Sequence, residues 1–253
     1  MLIVQDKITP PLNYARISRL RLHNALAGSL ANCTSTVLQG RAGSGKTQLA
    51  ADFARRSHRR IAWYTVDSSD SRLPIFVRYL TASVQREFPK FGRVVLDESL
   101  GRLENLDATH AANLLIHELS DLHEPLLIVM DDLHLLYDES WIVPFFHRLL
   151  PLLPPEAHLL IIGRSLPPAP LWRLRSKQQL CVIEEAALNF THDEAVELFH
   201  EYGLPTDTVD ATLAETGGRA ALTNFCARKK SLAGDVRDDP ARYRGRALES
   251  FHA

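Results

Sequence analysis

One glycine-rich octapeptide constrains this chain more than any other feature, through both its residue types and its position. It consists of Gly40-Arg41-Ala42-Gly43-Ser44-Gly45-Lys46-Thr47 and matches the pattern G-x-x-x-x-G-K-[ST] in full. Residues 36–39 before it are typical of a short strand, and residues 46–56 after it are typical of a helix. Glycines let backbone N–H groups turn toward an anion without an obstructing Cβ, and a helix N-terminus favours the same anion. The motif therefore predicts a phosphate-binding loop.

Individual side chains of this loop have separate predicted roles. The Lys46 ammonium is expected on the β- and γ-phosphates of a nucleotide, and the Thr47 hydroxyl is expected on Mg²⁺. A glycine-rich turn that matches the pattern by chance is the alternative, and the flanking strand and helix argue against it. The predicted nucleotide-binding residues of this segment are Gly40, Arg41, Ala42, Gly43, Ser44, Gly45, Lys46, Thr47 and Gln48.

Further apolar runs predict strands, and helical patterns separate them. The additional predicted strands are residues 61–66, 126–130, 158–162 and 181–183. The predicted helices in the same part of the chain are residues 17–31, 46–56, 74–88, 108–122 and 141–150. A run such as 126–130, which is apolar at every position, is typical of a strand buried on both faces of a parallel sheet. Strands that alternate with helices predict an α/β fold, here a parallel P-loop sheet flanked by helices.

Two acidic residues, Asp131 and Asp132, directly follow the predicted strand 126–130. A P-loop enzyme needs a second strand that brings an acid to the metal, and Asp131 fits this Walker B role. Asp132 is placed to orient an attacking water, although an Asp after a strand also serves as a helix cap. His134 is more often a structural hydrogen-bonding residue than a base. We therefore predict Asp131 as a metal-binding and catalytic residue and Asp132 as a catalytic residue.

Arg164 follows the predicted strand 158–162 and Gly163. In an open parallel sheet the ligand lies at the carboxyl ends of the strands. Arg164 is therefore predicted to reach the γ-phosphate and to act in catalysis, the alternative being a surface arginine.

The chain changes character near residue 186, after which we find no strand pattern. Thr191 and Glu194 have the spacing of a capping box, which predicts a helix start. Further helices are predicted at residues 209–215 and 219–230. This part is predicted to be a small C-terminal helical subdomain. The predicted organisation is an N-terminal arm (1–16), a P-loop nucleotide-binding domain (17–185), the helical subdomain (186–230) and a tail (231–253).

Composition and apolar patterning argue against several other classes of protein. The chain has 253 residues, with 29 Lys+Arg against 30 Asp+Glu and a net charge of -1, so it lacks the basic field of a nucleic-acid-binding protein. No apolar run approaches the ~20 residues that span a bilayer, and residues 1–16 lack a signal-peptide pattern. The 3 cysteines are too few for a disulfide scaffold. We expect a cytoplasmic protein without a membrane partner.

The order and spacing of several segments resemble a known family. The sequence is similar to the nucleotide-binding module of STAND-class signal-transduction ATPases, in particular the MalT-like branch of LuxR-family transcriptional regulators. The segments that carry the resemblance are residues 7–11, 17–22, 62–67, 76–80, 129–134, 150–159, 163–164, 168–175 and 188–195. Among them, Val129-Met130-Asp131-Asp132-Leu133-His134 is the clearest outside the P-loop.

This resemblance implies a molecular switch that holds ADP when off and ATP when on, with Mg²⁺, and that hydrolyses ATP slowly. It implies that Lys46 and Thr47 bind phosphate and magnesium. It also implies that Asp131 is the Walker B acid, that Asp132 is its acidic neighbour, and that Arg164 is a sensor arginine. Arg19 is implied to lie near the adenine. The implied partners are other copies of the chain or a larger regulator.

The sequence also departs from the family. Ala220 occupies the position where the family usually has a proline that abuts the nucleotide. The winged-helix domain, sensor repeats and helix-turn-helix expected after this module have no counterpart in the sequence, so we expect no direct DNA binding from this chain alone. Two alternatives to the switch stay open at this point. One is a nucleotide-stabilised interaction protein with little turnover that pairs with a regulator, and the other is a different P-loop ATPase or kinase.

Overall fold

The computed structural model describes residues 2–12, 16–92, 107–177 and 179–238. Its strands are β1 (Ser35–Gln39), β2 (Arg60–Thr65), β3 (Leu126–Asp131), β4 (Ala157–Gly163) and β5 (Leu180–Ile183). Its α-helices are α1 (Leu20–Asn32), α2 (Lys46–Arg56), α3 (Leu73–Gln85), α4 (Ala108–Ser120), α5 (Ile142–Leu149), α6 (Arg173–Ser176), α7 (Glu185–Leu188), α8 (His192–Glu201), α9 (Val209–Thr216) and α10 (Ala220–Asp238). None of these helices is long and apolar enough to cross a membrane. Residues 239–253 of the predicted tail lie outside the described residues.

The five strands form one sheet in the order β2-β3-β4-β1-β5, and every pair is parallel. This confirms the predicted α/β class and all five predicted strands. Strand β4 lies between β1 and β3, with Gln39 of β1 opposite Gly163 of β4. Because parallel strands end at the same edge of a sheet, the carboxyl ends of β1, β4 and β3 are neighbours.

Both faces of the sheet are buried, which explains the continuous apolar runs. Tyr64 and Met130 belong to the same core cluster as Phe76 of α3 and Phe145 of α5. Successive side chains of a strand point to opposite faces, so the residues between them, such as Val129, face the other side. Val129 is fully buried there as well. Apolar residues at every position are therefore required, as a parallel sheet covered on both faces demands.

Residues 5–8 lie within the predicted N-terminal arm (1–16) but have a regular local structure. They form a single 3₁₀ turn (Gln5–Ile8), and Ile8 is buried. The ammonium of Lys7 donates to both carboxylate oxygens of Asp70, at 2.6 and 2.8 Å, and lies 4.5 Å from the ring centroid of Tyr79. Asp70 is fully buried, so this ion pair fixes the segment onto the first turns after β2. Sequence patterning missed it because the pairing joins residues that are far apart in the chain.

Contacts divide the chain into two units, which we describe separately. The first contains the chain up to Ala42 and Lys46–Ala187, and the second contains Gly43–Gly45 and the chain from Leu188. The first unit therefore holds the whole sheet, and the second holds helices α8 to α10.

The second unit confirms the predicted helix start at residue 191. Thr191 and Glu194 cap α8 reciprocally, each side chain accepting a hydrogen bond from the backbone N–H of the other. Helix α10 runs to Asp238, so the prediction that its helical pattern ends at Lys230 is wrong. An isolated Gly234 costs a helix only about 1 kcal/mol, which is too little to end it.

The same unit contains a close approach of backbone to backbone at Gly43 and Gly45. Both have positive φ angles, 80° and 83°. The Ala221 N–H donates to the Gly43 carbonyl at 2.8 Å. A Cβ on Gly45 would lie 3.1 Å from the Cβ of Ala220. The first turn of α10 thus depends on the absence of side chains at these two glycines.

We expect the buried His158 of β4 to make stability depend on pH. Its Nδ1 lies 3.1 Å from the Cys33 carbonyl, which only accepts, so Nδ1 carries the proton and Nε2 accepts from the Thr36 hydroxyl at 2.8 Å. Burial, helped by the nearby Arg59, lowers the pKa of His158 to about 4. Unfolding lets the ring take up a proton below its ordinary pKa of 6.5. The contribution of His158 is therefore complete above pH 6.5 and falls by about 3 kcal/mol as the pH drops to 4.

Urea unfolding between pH 7.5 and 4 measures this contribution in the wild type and in His158→Gln. The wild type should lose stability more steeply over this interval than His158→Gln, since carboxylates contribute equally to both. Replacement of the exposed His110 by Gln serves as the matched control and should retain the wild-type slope. Equal slopes in the wild type and His158→Gln would show that His158 does not titrate in this way.

Candidate functional site

The loop after β1 begins against the end of β4. The Gly40 N–H donates to the carbonyl of Gly163 at 3.2 Å, which extends the β1–β4 pairing by one residue. Helix α2 then begins at Lys46, as predicted. This places the start of the loop and the first turn of α2 at the carboxyl edge of the sheet, where α/β proteins bind ligands.

Lys46 is buried, and its ammonium contacts the backbone of its own loop. Nζ donates to the carbonyl of Gly40 at 2.5 Å and to that of Arg41 at 2.9 Å. Burial lowers the pKa of Lys46, while the charges of Asp132 and Asp131 oppose this. The ammonium is thus held at the mouth of the loop by carbonyl groups and nearby carboxylates, in a position that suits a phosphate.

Thr47 and Asp131 join α2 to β3. The Thr47 hydroxyl donates to Oδ1 of Asp131 at 3.2 Å, and only 4% of the Asp131 surface is exposed. Burial and the neighbouring charge of Asp132 raise the pKa of Asp131 to about 6, despite the bond from Thr47 and the charge of Lys46. The pair offers a hydroxyl and a carboxylate, which are oxygen ligands that Mg²⁺ prefers. The Asp131 carboxylate has too little positive charge around it to offset its burial, and a bound cation would supply that charge. The residues present therefore fit Mg²⁺.

Asp132 has a strained backbone. Its φ angle is 58°, in the left-handed region, which is rare for a residue other than glycine. Its N–H donates to Oδ1 of Asp131 at 3.1 Å, and its own carboxylate lies 3.6 Å from Nδ1 of His134. Strain of this kind is concentrated at functional sites. The turn leaves the Asp132 side chain 39% exposed next to the buried Asp131.

Arg164 lies on the same edge. Its carbonyl accepts from Nε2 of Gln39, the last residue of β1, at 3.1 Å. Its positive charge reaches Lys46 and His134, since it contributes to lowering the pKa of both. The structure therefore brings Lys46, Thr47, Asp131, Asp132 and Arg164 together in the first unit.

Arg41 and Glu185 form a contact that sequence reasoning missed. Oε2 of Glu185 accepts from the Arg41 N–H at 2.9 Å, and Oε1 accepts from its guanidinium Nε at 2.7 Å. Glu185 begins the short helix α7 that follows β5. One carboxylate thus fixes both the backbone and the side chain of the second loop residue. Nothing in the sequence around Glu185 distinguishes it from other surface acids.

Arg19, implied by the resemblance to lie near the adenine, is buried at the N-terminal end of α1. The residue before it, Ser18, donates to Oδ2 of Asp52 on α2 at 2.8 Å, and Nε2 of His23 lies 2.9 Å from the same oxygen. This network ties the segment that carries Arg19 to the helix that follows the loop. Gln48, the last predicted loop residue, is exposed on α2.

The fold and this site define the class of protein. Residues 15–162 match the sequence profile of the AAA ATPase domain family, which is more than half of the chain. The chain therefore belongs to this family, and it is a P-loop ATPase module.

The module is similar to part of the transcriptional regulator MalT. It is 34% identical over 203 residues to the HTH-type transcriptional regulator MalT of Serratia proteamaculans and 31% identical over 203 residues to that of Yersinia enterocolitica. Each match covers 78% of this chain and 22% of the relative, so the chain matches less than a quarter of the relatives' length. The expected MalT-like family is thus confirmed at the level of the ATPase module.

Solved structures share the fold at low sequence identity. The Walker-type ATPase of Pyrococcus abyssi superposes with a TM-score of 0.53 and 14% identity, covering 94% of this chain and 80% of that one. The Orc1 protein of Aeropyrum pernix, solved in complex with DNA, superposes with a TM-score of 0.50 and 19% identity, covering 90% and 62%. At such identities these likenesses support the P-loop ATPase fold alone.

We expect Asp52 to be a major stabilising residue of this region. Its carboxylate also accepts from Arg55 at 2.7 Å and from Arg56 at 3.2 Å. Burial alone would raise the pKa of Asp52, but hydrogen bonds from Arg55, Ser18 and Arg56 outweigh it and lower the pKa to about 2. Asp52→Asn should therefore cost about 2 kcal/mol at pH 7.

The advantage of the wild type should persist above pH 3.8 and disappear as the pH falls toward 2, because protonation then removes the same charge. Urea unfolding of the wild type and Asp52→Asn at pH 7 and pH 2.5 measures this. Replacement of the exposed Asp138 by Asn is the control and should change stability by less than about 0.5 kcal/mol. An Asp52→Asn variant as stable as the wild type at pH 7 would refute the role.

Proposed function

We propose that this protein is an ATP-binding, slowly hydrolysing signal-transduction switch of the STAND class, working in the cytoplasm with ATP or ADP and Mg²⁺. One observation carries the proposal: the Thr47 hydroxyl and the buried Asp131 carboxylate meet at 3.2 Å, next to the ammonium of Lys46. A phosphate-binding loop joined in this way to an acid at the end of a second strand is the arrangement that P-loop ATPases use.

Each residue of the site has a separate proposed role in binding or hydrolysis. Lys46 exchanges its hydrogen bonds to the Gly40 and Arg41 carbonyls for the oxygens of the bound phosphates. Thr47 and Asp131 would hold Mg²⁺, which neutralises charge that develops on the phosphates. Asp132, exposed beside Asp131, orients the attacking water and accepts its proton.

Arg164 and Arg19 complete the proposed site at its two ends. Arg164 lies at the end of β4 close enough to influence Lys46, and we assign it to the terminal phosphate, where its charge distinguishes ATP from ADP. Arg19 is assigned to the adenine end of the nucleotide. It directly follows Ser18, whose hydroxyl donates to Asp52 on α2. The proposed partners are other copies of the chain or a larger regulator, and DNA binding by this chain is not part of the proposal.

Replacement of Lys46 by Ala should abolish nucleotide binding, because it removes the ammonium that lies against the Gly40 and Arg41 carbonyls and is assigned to the phosphates. We expect affinity for Mg·ATP and Mg·ADP to fall at least a hundredfold in isothermal titration calorimetry. Replacement of the exposed Lys90 by Ala is the matched control. Circular dichroism confirms folding of both variants. Wild-type affinity in a folded Lys46→Ala protein would refute the P-loop assignment.

Hydrolysis should depend on the two acids in different ways. Asp132→Asn should retain Mg·ATP binding and lower single-turnover hydrolysis by a factor of about 10² or more, since it removes the proton acceptor. Asp131→Asn should weaken the dependence on Mg²⁺ as well. Asp138→Asn, an exposed control, should hydrolyse as the wild type does.

Two results would change the proposal in different ways. Turnover unaffected in the Asp131→Asn, Asp132→Asn double variant would remove the assigned hydrolytic site. Nucleotide binding without any turnover in the wild type would instead favour a nucleotide-stabilised interaction protein.

A further inference from the structure

Tyr137 carries a buried hydroxyl that the fold does not use. It directly follows the 3₁₀ turn Leu133–Leu136, which begins immediately after Asp132. Its Oη is shielded from solvent and has no hydrogen-bond partner among the described residues. Buried hydroxyls are almost always paired, so an orphan of this kind calls for a ligand or a functional reason.

Gly163 places this hydroxyl at the edge of the sheet. A Cβ built on Gly163 would lie 3.4 Å from Oη of Tyr137 and 3.3 Å from Cβ of His134. The carbonyl of Gly163 in turn accepts from the N–H of Gly40, where the phosphate-binding loop begins. The hydroxyl thus lies at the end of β4, one strand away from the start of the loop.

The phenol of Tyr137 is a hydrogen-bond donor at the edge of the sheet that carries the candidate site. Burial raises the pKa of Tyr137, so the phenol stays protonated and can donate a hydrogen bond. His134, which packs against the same glycine, feels the negative charge of Asp132 as well as the positive charges of Arg164 and Lys46. Lys46 and Arg164 thus share this edge of the sheet with the phenol, and a neutral donor together with cations is suited to a phosphate oxygen whose Mg²⁺ offsets the carboxylates.

We propose that the Tyr137 hydroxyl donates a hydrogen bond to the terminal phosphate of bound ATP and so makes Tyr137 a specificity-determining residue for ATP over ADP. This inference rests on the proposed function, because it needs a nucleotide in the loop. The inner phosphates of a P-loop nucleotide are wrapped by loop N–H groups and the lysine. The terminal phosphate is therefore expected to contact the groups at the ends of β3 and β4, where Tyr137 lies.

Tyr137→Phe tests this with the removal of a single oxygen atom. We compare affinities of the full chain for Mg·AMP-PNP, a non-hydrolysable ATP analogue, and for Mg·ADP by calorimetry. The variant should bind the ATP analogue about tenfold to a hundredfold more weakly and ADP within twofold of the wild type. Its melting temperature without nucleotide should not fall, since the hydroxyl has no partner there.

Tyr64→Phe is the matched control. Tyr64 is fully buried in β2, where its ring packs against Phe76 and Tyr79, and its hydroxyl also has no hydrogen-bond partner among the described residues. This variant should keep the wild-type preference for the ATP analogue over ADP.

The outcomes separate this inference from the proposed function. If the wild type binds both nucleotides and Lys46→Ala loses both, an unchanged preference in Tyr137→Phe overturns the inference alone. An equal loss for the two nucleotides also overturns it, because the hydroxyl would then not read the terminal phosphate. A wild type that binds neither nucleotide contradicts both proposals.

Discussion

The hydrogen bond from Thr47 to Asp131 is the constraint on which the rest of the site depends. It joins the first turn of α2 to the last residue of β3, and the two residues are 84 positions apart in the chain. Strand β4 lies between β1 and β3, so the loop must reach across the end of β4 for this bond to form. The backbone bond from Gly40 to Gly163 fixes the start of that path. The position of β4 therefore helps to set the distance between the loop and its acid.

This geometry also explains what the end of β4 can hold. The carbonyl of Gly163 accepts from the N–H of Gly40, and the turn after β3 packs against Gly163 through His134 and Tyr137. A side chain at residue 163 would compete with both for the same space. The absence of a Cβ lets two polar side chains from the neighbouring connection approach the sheet edge, while Arg164 follows on the same strand. His134, Tyr137 and Arg164 are close together because of the order of the strands in the sheet, and not because of a local sequence motif.

The sequence predicts the local features well and the distant pairings poorly. The five strands and helix α2 follow from apolar runs and the P-loop pattern, because these depend on neighbouring residues. The Lys7–Asp70 ion pair, the Arg41–Glu185 contact and the orphan hydroxyl of Tyr137 arise only when distant segments are packed together. Single charges and tyrosines carry no periodic signal, so no pattern in one sequence selects them. The extension of α10 beyond Lys230 was missed for a different reason, because residues 231–253 mix Gly, Asp, Arg and Pro, a composition without a helical pattern.

Two buried aspartates show how the structure distinguishes a structural carboxylate from one suited to a ligand. Asp52 and Asp131 are both 4% exposed, yet their pKa values move in opposite directions, to about 2 and about 6. Burial raises the pKa of both, so the difference comes from their partners. Asp52 accepts from two guanidinium groups and a hydroxyl, which compensate its charge. Asp131 accepts from one hydroxyl and one backbone N–H, and a second carboxylate adjoins it. A buried acid left short of positive charge is suited to a cation, whereas one already compensated is suited to holding the fold together.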